Sequence, residues 1–246
     1  MSVAPTSIQQ PHEHHRYRRA LIVILALIAA AVAIGLLFQF DVFGGSSTST
    51  TTAEGSGVAA TQTRNVASFQ GVELAGSNDV VVRVGEKQSV VVSADDNLIH
   101  RVTTEVQQGT LVIAQTPGNF TTKSPMRVVV SVPTLHALTL SGSGNVVVSD
   151  IKSQSLRVML SGSGNLTGDG RATRFAATVS GSGNVLFQRL IANDVNAVVS
   201  GSGDILVTAT KRLDASVPGS GAILYSGNPS NVTKSVTGSG TITAKP

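Results

Sequence analysis

The chain has no cysteine and no tryptophan, and of its 246 residues only 4% are aromatic and 13% charged. Without cysteine there is no disulfide, no thiolate metal site, no cysteine nucleophile and no lipid-modified N-terminal cysteine. The formal net charge is only +4, with Arg16, Arg18 and Arg19 in the short N-terminal tail and the basic residues from Arg64 onward scattered, whereas nucleic acid requires a clustered basic face with aromatic platforms, so no nucleic-acid partner is expected. No Walker phosphate loop, no Gly-x-Ser-x-Gly elbow and no Gly-x-Gly-x-x-Gly at a strand-to-helix junction is present, which removes the common nucleotide and acyl-transfer sites. His12, His14 and His15 crowd the N-terminal tail while His100 and His136 stand alone, so they form no ligand set and neither metal nor cofactor is expected. What is abundant is glycine, 25 residues of it, amid tracts of Val, Ser and Thr. That composition favours many short strands.

Ala20 to Phe38 is uncharged and apolar, long enough as a helix to cross roughly 30 Å of hydrocarbon. Arg16, Arg18 and Arg19 precede it and Asp41 follows it, so the positive-inside rule leaves the N-terminus in the cytoplasm and exports the rest. This predicts a cytoplasmic tail over 1–19, a transmembrane anchor over 20–40 and a domain outside the membrane. A cleaved signal peptide is the competing reading, because Ala31-Val32-Ala33 has small-x-small spacing, yet the apolar run continues through Ile34, Leu36, Leu37 and Phe38 and favours retention in the bilayer. Residues 41–63, rich in Ser, Thr and Gly and without apolar periodicity, read as a flexible linker.

From Leu138 a phrase returns six times: SGSGN at Ser141, Ser161 and Ser180, SGSGD at Ser200, PGSGA at Pro218 and TGSGT at Thr237, with spacings of 20, 19, 20, 18 and 19 residues. A period near 20 in strand-forming residues is too short for propeller blades and lacks the leucine-rich-repeat signature, so each repeat should be one rung of a β-solenoid. The expected fold is therefore all-β, a single parallel β-helix over 64–246 with rungs of about 20 residues. Stacked repeats align Leu140, Leu160, Val179, Val199, Val217 and Val236 before the turn and Val146, Leu166, Val185, Ile205, Ile223 and Ile242 after it. Leu138, Val158, Ala177, Ala197, Ala215 and Lys234, and His136, Leu156, Phe175, Val195, Leu213 and Val232, form further inward columns by period-2 alternation. Lys234 and the loss of the Asn column at Ala222 and Thr241 mark a terminal rung.

In the turns, Gly142, Gly144, Gly162, Gly164, Gly181, Gly183, Gly201 and Gly203 are expected to supply either positive φ or close backbone approach at a corner. Beside them Asn145, Asn165, Asn184 and Asp204 should stack as a hydrogen-bonded ladder at the ~4.8 Å strand spacing. Arg64 to Pro133 has no such phrase but carries strand patterns such as VVVRV over 80–84 and RVVVSV over 127–132. It reads as more irregular rungs that cap the same helix.

The runs VELAGSNDVVVRVG (Val72 to Gly85) and SADDNLIHRVTTEVQQGTLVI (Ser93 to Ile113), together with the SGSGN repeats, resemble the auto-transporter adhesin head domain, or GIN domain, of bacterial surface proteins, over Val66 to about Ala244. The resemblance implies a β-helical fold and an adhesin-like role and brings no catalytic residues with it. Outward positions after the turn hold Val147, Leu186, Leu206 and Leu224, an apolar stripe that either contacts a partner or is covered by the N-terminal rungs. Outward positions before the turn hold Arg174, Asp194 and Arg212 in one column, beside Arg157 and Asp214, a ladder of alternating charge on a solvated face. The functional expectation is a membrane-anchored, non-catalytic surface protein binding a surface protein or glycan, with its oligomeric state left open; the alternative is a carbohydrate-active enzyme using Asp194 and Asp214.

Overall fold

The computed structural model describes residues 52–245. The transmembrane anchor expected over 20–40 and the cytoplasmic tail lie outside the described residues, and among those described no helix is long and apolar enough to cross a membrane. In chain order the strands are β1 (Ala53–Glu54), β2 (Ala59–Arg64), β3 (Gly71–Leu74), β4 (Asp79–Val84), β5 (Ser89–Asp95), β6 (Val102–Gln107), β7 (Thr110–Gln115), β8 (Phe120–Thr121) and β9 (Arg127–Val132). The repeats then give β10 (Ala137–Leu140), β11 (Val146–Leu160), β12 (Asn165–Val179), β13 (Asn184–Val199), β14 (Ile205–Val217), β15 (Ala222–Ser226), β16 (Asn231–Val236) and β17 (Thr241–Ala244). Every ladder from β10 to β17 is parallel, as a chain that returns in the same sense once per turn requires, and the coil makes about five turns.

Each turn presents one strand face before the SGSG corner and one after it. Leu140, Leu160, Val179, Val199 and Val217 before the corner, and Val146, Leu166, Val185, Ile205 and Ile223 after it, are buried. Through β15 the inward columns are as the alternation predicts, with corrections at both ends: in the last rung Val232, Lys234 and Val236 are exposed because no further rung covers them, and the first repeat is out of phase. His136 is exposed and Leu135 is buried in its stead, because β10 is reached from β9, which belongs to a different rung, so the chain enters this turn out of phase with the later ones. Within the core, Gly168 leaves room for the Phe187 ring, which a Cβ there would overlap, and Phe187 stacks on Phe175 with centroids 5.1 Å apart.

The segment before the repeats departs from a purely parallel helix. β3 and β4 form a genuine rung, pairing in parallel with β10 and β11 above and with β7 and β9 below. The chain therefore lays down the second rung first, descends, builds the first rung and then climbs past both. β5 pairs antiparallel with β9, β2 with β5, and β6 with β7. The β6–β7 connection is a two-residue hairpin in which Gln108 (φ 49) and Gly109 (φ 76) both take positive φ, as a type I′ turn needs. These antiparallel layers close the N-terminal end of the core, with Val90, Val92 and Val102 buried.

The linker expectation also needs correction. β1 pairs with β8 and β2 with β5, so residues 53–63 are part of the domain despite their Ser/Thr/Gly composition. The reason is a polar clamp that composition conceals, formed by Asp95, Asp96 and Asn97. The fully buried Asp95 carboxylate accepts the backbone N–H groups of Gly57 at 3.0 Å, Lys123 at 2.9 Å and Ser124 at 3.1 Å. Asn97 Nδ2 donates to the Glu54 carbonyl at 2.7 Å, its Oδ1 accepts the Ser56 N–H at 2.9 Å, and Asp96 accepts the Ser56 hydroxyl. Burial by itself would raise the Asp95 pKa, but the Lys123 N–H, the Ser124 side chain and N–H and the Gly57 N–H together outweigh it and hold the carboxyl below its usual range. At the other end, every residue of β16 is exposed, and Lys234, the charged residue in an inward column, lies over the Tyr225 ring at 4.8 Å and shields it.

Candidate functional site

The SGSG phrases are corners, and close approach is what they need. None of their glycines has positive φ. A Cβ on Gly142 would overlap the carbonyl oxygen of Gly76, one on Gly162 that of Gly142, and one on Gly164 that of Gly144, so successive corners stack backbone on backbone. Asn165 Nδ2 donates to Asn145 Oδ1 at 3.2 Å and Asn184 Nδ2 to Asn165 Oδ1 at 3.0 Å. Asn145 in turn donates to Asp79 Oδ1 at 3.2 Å, which ends the ladder because a carboxylate only accepts. At the top Asp204 cannot donate from its side chain, so its backbone N–H bonds Asn184 Oδ1 at 3.0 Å and its carboxylate accepts the N–H of Ala222 at 2.8 Å. The ladder is thus satisfied internally from end to end, a structural role.

Asp79 belongs to a degenerate seventh corner, Ala75-Gly76-Ser77-Asn78-Asp79, stacked beneath Ser141-Gly142-Ser143-Gly144-Asn145. Asn78 stands where later rungs have glycine, and it fits because no equivalent corner lies below. Gln115 occupies that space instead, donating to Asn78 Oδ1 at 2.7 Å and accepting the Ser77 hydroxyl at 3.0 Å.

The outward column that carries the apolar stripe is longer than the repeats alone indicate. Val147, Thr167, Leu186, Leu206 and Leu224 are cross-rung neighbours in one outward column. The column continues downward through Val81, Val129 and Val91. Val147 is 46% exposed and the others are half-buried by their neighbours on the sheet. The N-terminal rungs do not cover this stripe; they stack beneath it and extend it. Among the described residues no strand packs across it. The strand patterns that supply Val81, Val91 and Val129 are legible in the sequence, but their register is not, because two of the pairings run through an out-of-order rung and an antiparallel strand.

On the face before the corner, Arg174, Asp194 and Arg212 align in one column as read. The ion pair that forms is not between rungs, however: Arg212 Nη2 binds Asp214 Oδ2 at 2.7 Å along the same strand. That hydrogen bond and the nearby carboxylates of Asp214 and Asp194 push the guanidinium pKa further up. Asp194 is exposed and Asp214 is tied to its arginine, and both line a shallow depression with Ser155, Arg174 and Asn196.

The family model described as "Putative auto-transporter adhesin, head GIN domain" matches residues 68–229. The chain belongs to the GIN-domain family. The GIN fold here is shared with solved structures from Bacteroides fragilis and Parabacteroides distasonis. A putative adhesin from Bacteroides fragilis is 25% identical, with a TM-score of 0.67 over 78% of this chain and 99% of that one. A putative adhesin from Parabacteroides distasonis, 22% identical with a TM-score of 0.52, covers 79% of this chain and matches along 100% of its own length. A protein from the same species described as a putative lipid binding protein is 23% identical, with a TM-score of 0.51 over 80% of this chain and 100% of that one. Among curated proteins nothing matches.

Proposed function

We propose that this GIN-domain protein is a non-catalytic, adhesin-like binding protein of the bacterial cell surface, held at the membrane by a helix over residues 20–40 and presenting residues 64–246 outside. Family membership carries the reading; the adhesin description of the Bacteroides fragilis neighbour supports it. The physical support is a rigid scaffold whose repeats are consumed by corners and ladders, leaving the outward strand faces for contact. On the corner-following face the contact residues are Val147, Leu186, Leu206 and Leu224, extended by Val81, Val91 and Val129, a stripe suited to an apolar protein surface.

Every lysine of the chain, from Lys87 to Lys245, lies beyond the apolar segment. A membrane-impermeant amine-reactive label applied to intact cells should therefore modify the full chain. Labelling that appears only after lysis would sink the surface reading.

A further inference from the structure

The face that precedes the SGSG corners carries a trough that the apolar stripe does not touch. Three depressions lie end to end along it. The first, about 790 Å³, is lined among others by Gln70, Gly71, Lys87, Thr110, His136 and Ala137. His136 and Ala137 also line the second, about 420 Å³, with Gln154, Ser155 and Arg157. Ser155 passes into the third, about 460 Å³, with Arg174, Asn196 and Arg212. The shared residues make one channel parallel to the solenoid axis, crossing the rungs of β7, β3, β10, β11, β12, β13 and β14. At ~4.8 Å per step it is roughly 29 Å long. Its depth has a sequence cause: Gly71, Ala137 and Ala176 fall in one outward column and offer nothing beyond Cβ to fill it, with Arg157 the one long side chain between the two alanines.

Over a floor of small residues and backbone, Gln70, Gln108, Gln154, Thr110, Ser155 and Asn196 supply neutral hydrogen-bonding groups. Phe69 and Phe175, the aromatic residues of the lining, are buried and offer no exposed platform for a base or an apolar ring. Four cations face the channel, Lys87, Arg157, Arg174 and Arg212, against Asp194 and Asp214. Arg212 is committed to Asp214 at 2.7 Å. Arg157 and Arg174 take part in neither of the ion pairs and in none of the side-chain hydrogen bonds found among the described residues. Arg174 pairs with Ser155, two residues before Arg157 on the rung below, so the two guanidinium groups spring from points roughly 8 Å apart on the diagonal. Two open forks at that separation, above a channel edged by amide and hydroxyl groups, suit a ligand with repeated carboxylates.

We propose that this trough binds an extended polysaccharide bearing carboxylates, with Arg157 and Arg174 holding them and the Gln, Asn, Ser and Thr side chains meeting the sugar hydroxyls. The proposal rests on the surface-binding reading above and gives it a ligand class. The test is calorimetric titration of the full chain in detergent with oligosaccharides of galacturonate, hyaluronan and alginate, each at two salt concentrations. At least one should bind, and the Arg157→Gln, Arg174→Gln double variant should weaken that binding at least tenfold with an unchanged melting temperature, both side chains being exposed. Methyl-esterified galacturonate, the same skeleton without charge, should bind at least tenfold more weakly than the acid form if that is the ligand found. Absence of binding to all three glycans, indifference to the double variant, or equal binding of poly-glutamate, which has the charge without the sugar, would overturn the trough assignment. Failure here with exofacial lysine labelling intact overturns only the trough; cleavage of a bound oligosaccharide into shorter products overturns the non-catalytic reading and leaves the trough.

Discussion

Gly164→Ala is the sharpest probe of why the corners are glycine. The new Cβ would overlap the Gly144 carbonyl oxygen on the rung below and stand 3.0 Å from Leu140 Cδ2. A backbone oxygen held in a ladder cannot rotate away, so the corner of β12 must lift off that of β11. The separation weakens the Ser163 N–H to Gly142 O bond at 3.2 Å and the Asn165–Asn145 bond at 3.2 Å, about 1 kcal/mol net each. Displacement of Leu140 adds an overpacking cost of about 1–3 kcal/mol. Alanine stiffens the unfolded chain and returns about 0.4–1 kcal/mol, leaving a net loss of about 2–4 kcal/mol. For a domain of this size that lowers Tm by about 5–15 °C, readable by far-UV circular dichroism. Gly164→Asn separates the two explanations for glycine, since asparagine tolerates positive φ but has the same Cβ. It should be at least as damaging as alanine. At Gly109, with φ +76 and open space within 4 Å of where a Cβ would stand, Gly109→Asn should cost under about 1 kcal/mol. A Gly164→Asn protein that melts like the parent would refute close approach as the reason.

The Asp95 clamp should be acid-labile: a carboxyl depressed in the folded state contributes stability above its unfolded pKa of about 3.9 and loses it as pH falls through the folded value, so proteolytic nicking near Gly55 should rise below about pH 4 while Asp95→Asn nicks at neutral pH as well. Asn165→Asp sets two acceptors face to face at Asn145 and should lower stability by about 1–3 kcal/mol at neutral pH, with part of the loss recovered in acid, where the carboxyl can donate; denaturant titrations at two pH values decide this. Val199→Asp puts a carboxylate at a fully buried position and should cost several kcal/mol, whereas Ser216→Asp on the outward face should cost little; equal losses of Tm would mean that the faces are misassigned.

The repeat made the regular rungs legible because a side-chain period of two and a fixed phrase leave little freedom in register. The Asn ladder could be read for the same reason. What stayed hidden depended on non-repeating contacts. Ala75 to Asp79 has the corner pattern with three of five letters changed, and only its stacking under Gly142 reveals it. Leu135 replaces His136 in the core because of a chain path, rung two before rung one, that no local pattern encodes. The strand at 59–64 looked like linker because its partner, β5, and its clamp, Asp95 to Asn97, lie some thirty residues downstream. The stripe was half visible: its upper members share a repeat position, while Val81, Val129 and Val91 join through pairings that the sequence does not order. The trough was not visible at all, since its depth comes from residues that are small and unremarkable one at a time.

The ladder runs one way, each asparagine donating toward Asp79 and accepting from the rung above, so every middle rung offers its neighbours the same two surfaces. An extra repeat copied in frame between two existing ones would meet a familiar floor and present a familiar ceiling, and neither the antiparallel cap nor the last rung would register the change. Domain height is therefore adjustable in increments of about 4.8 Å by duplication alone, and the stripe and the trough, being properties of columns, would lengthen with it.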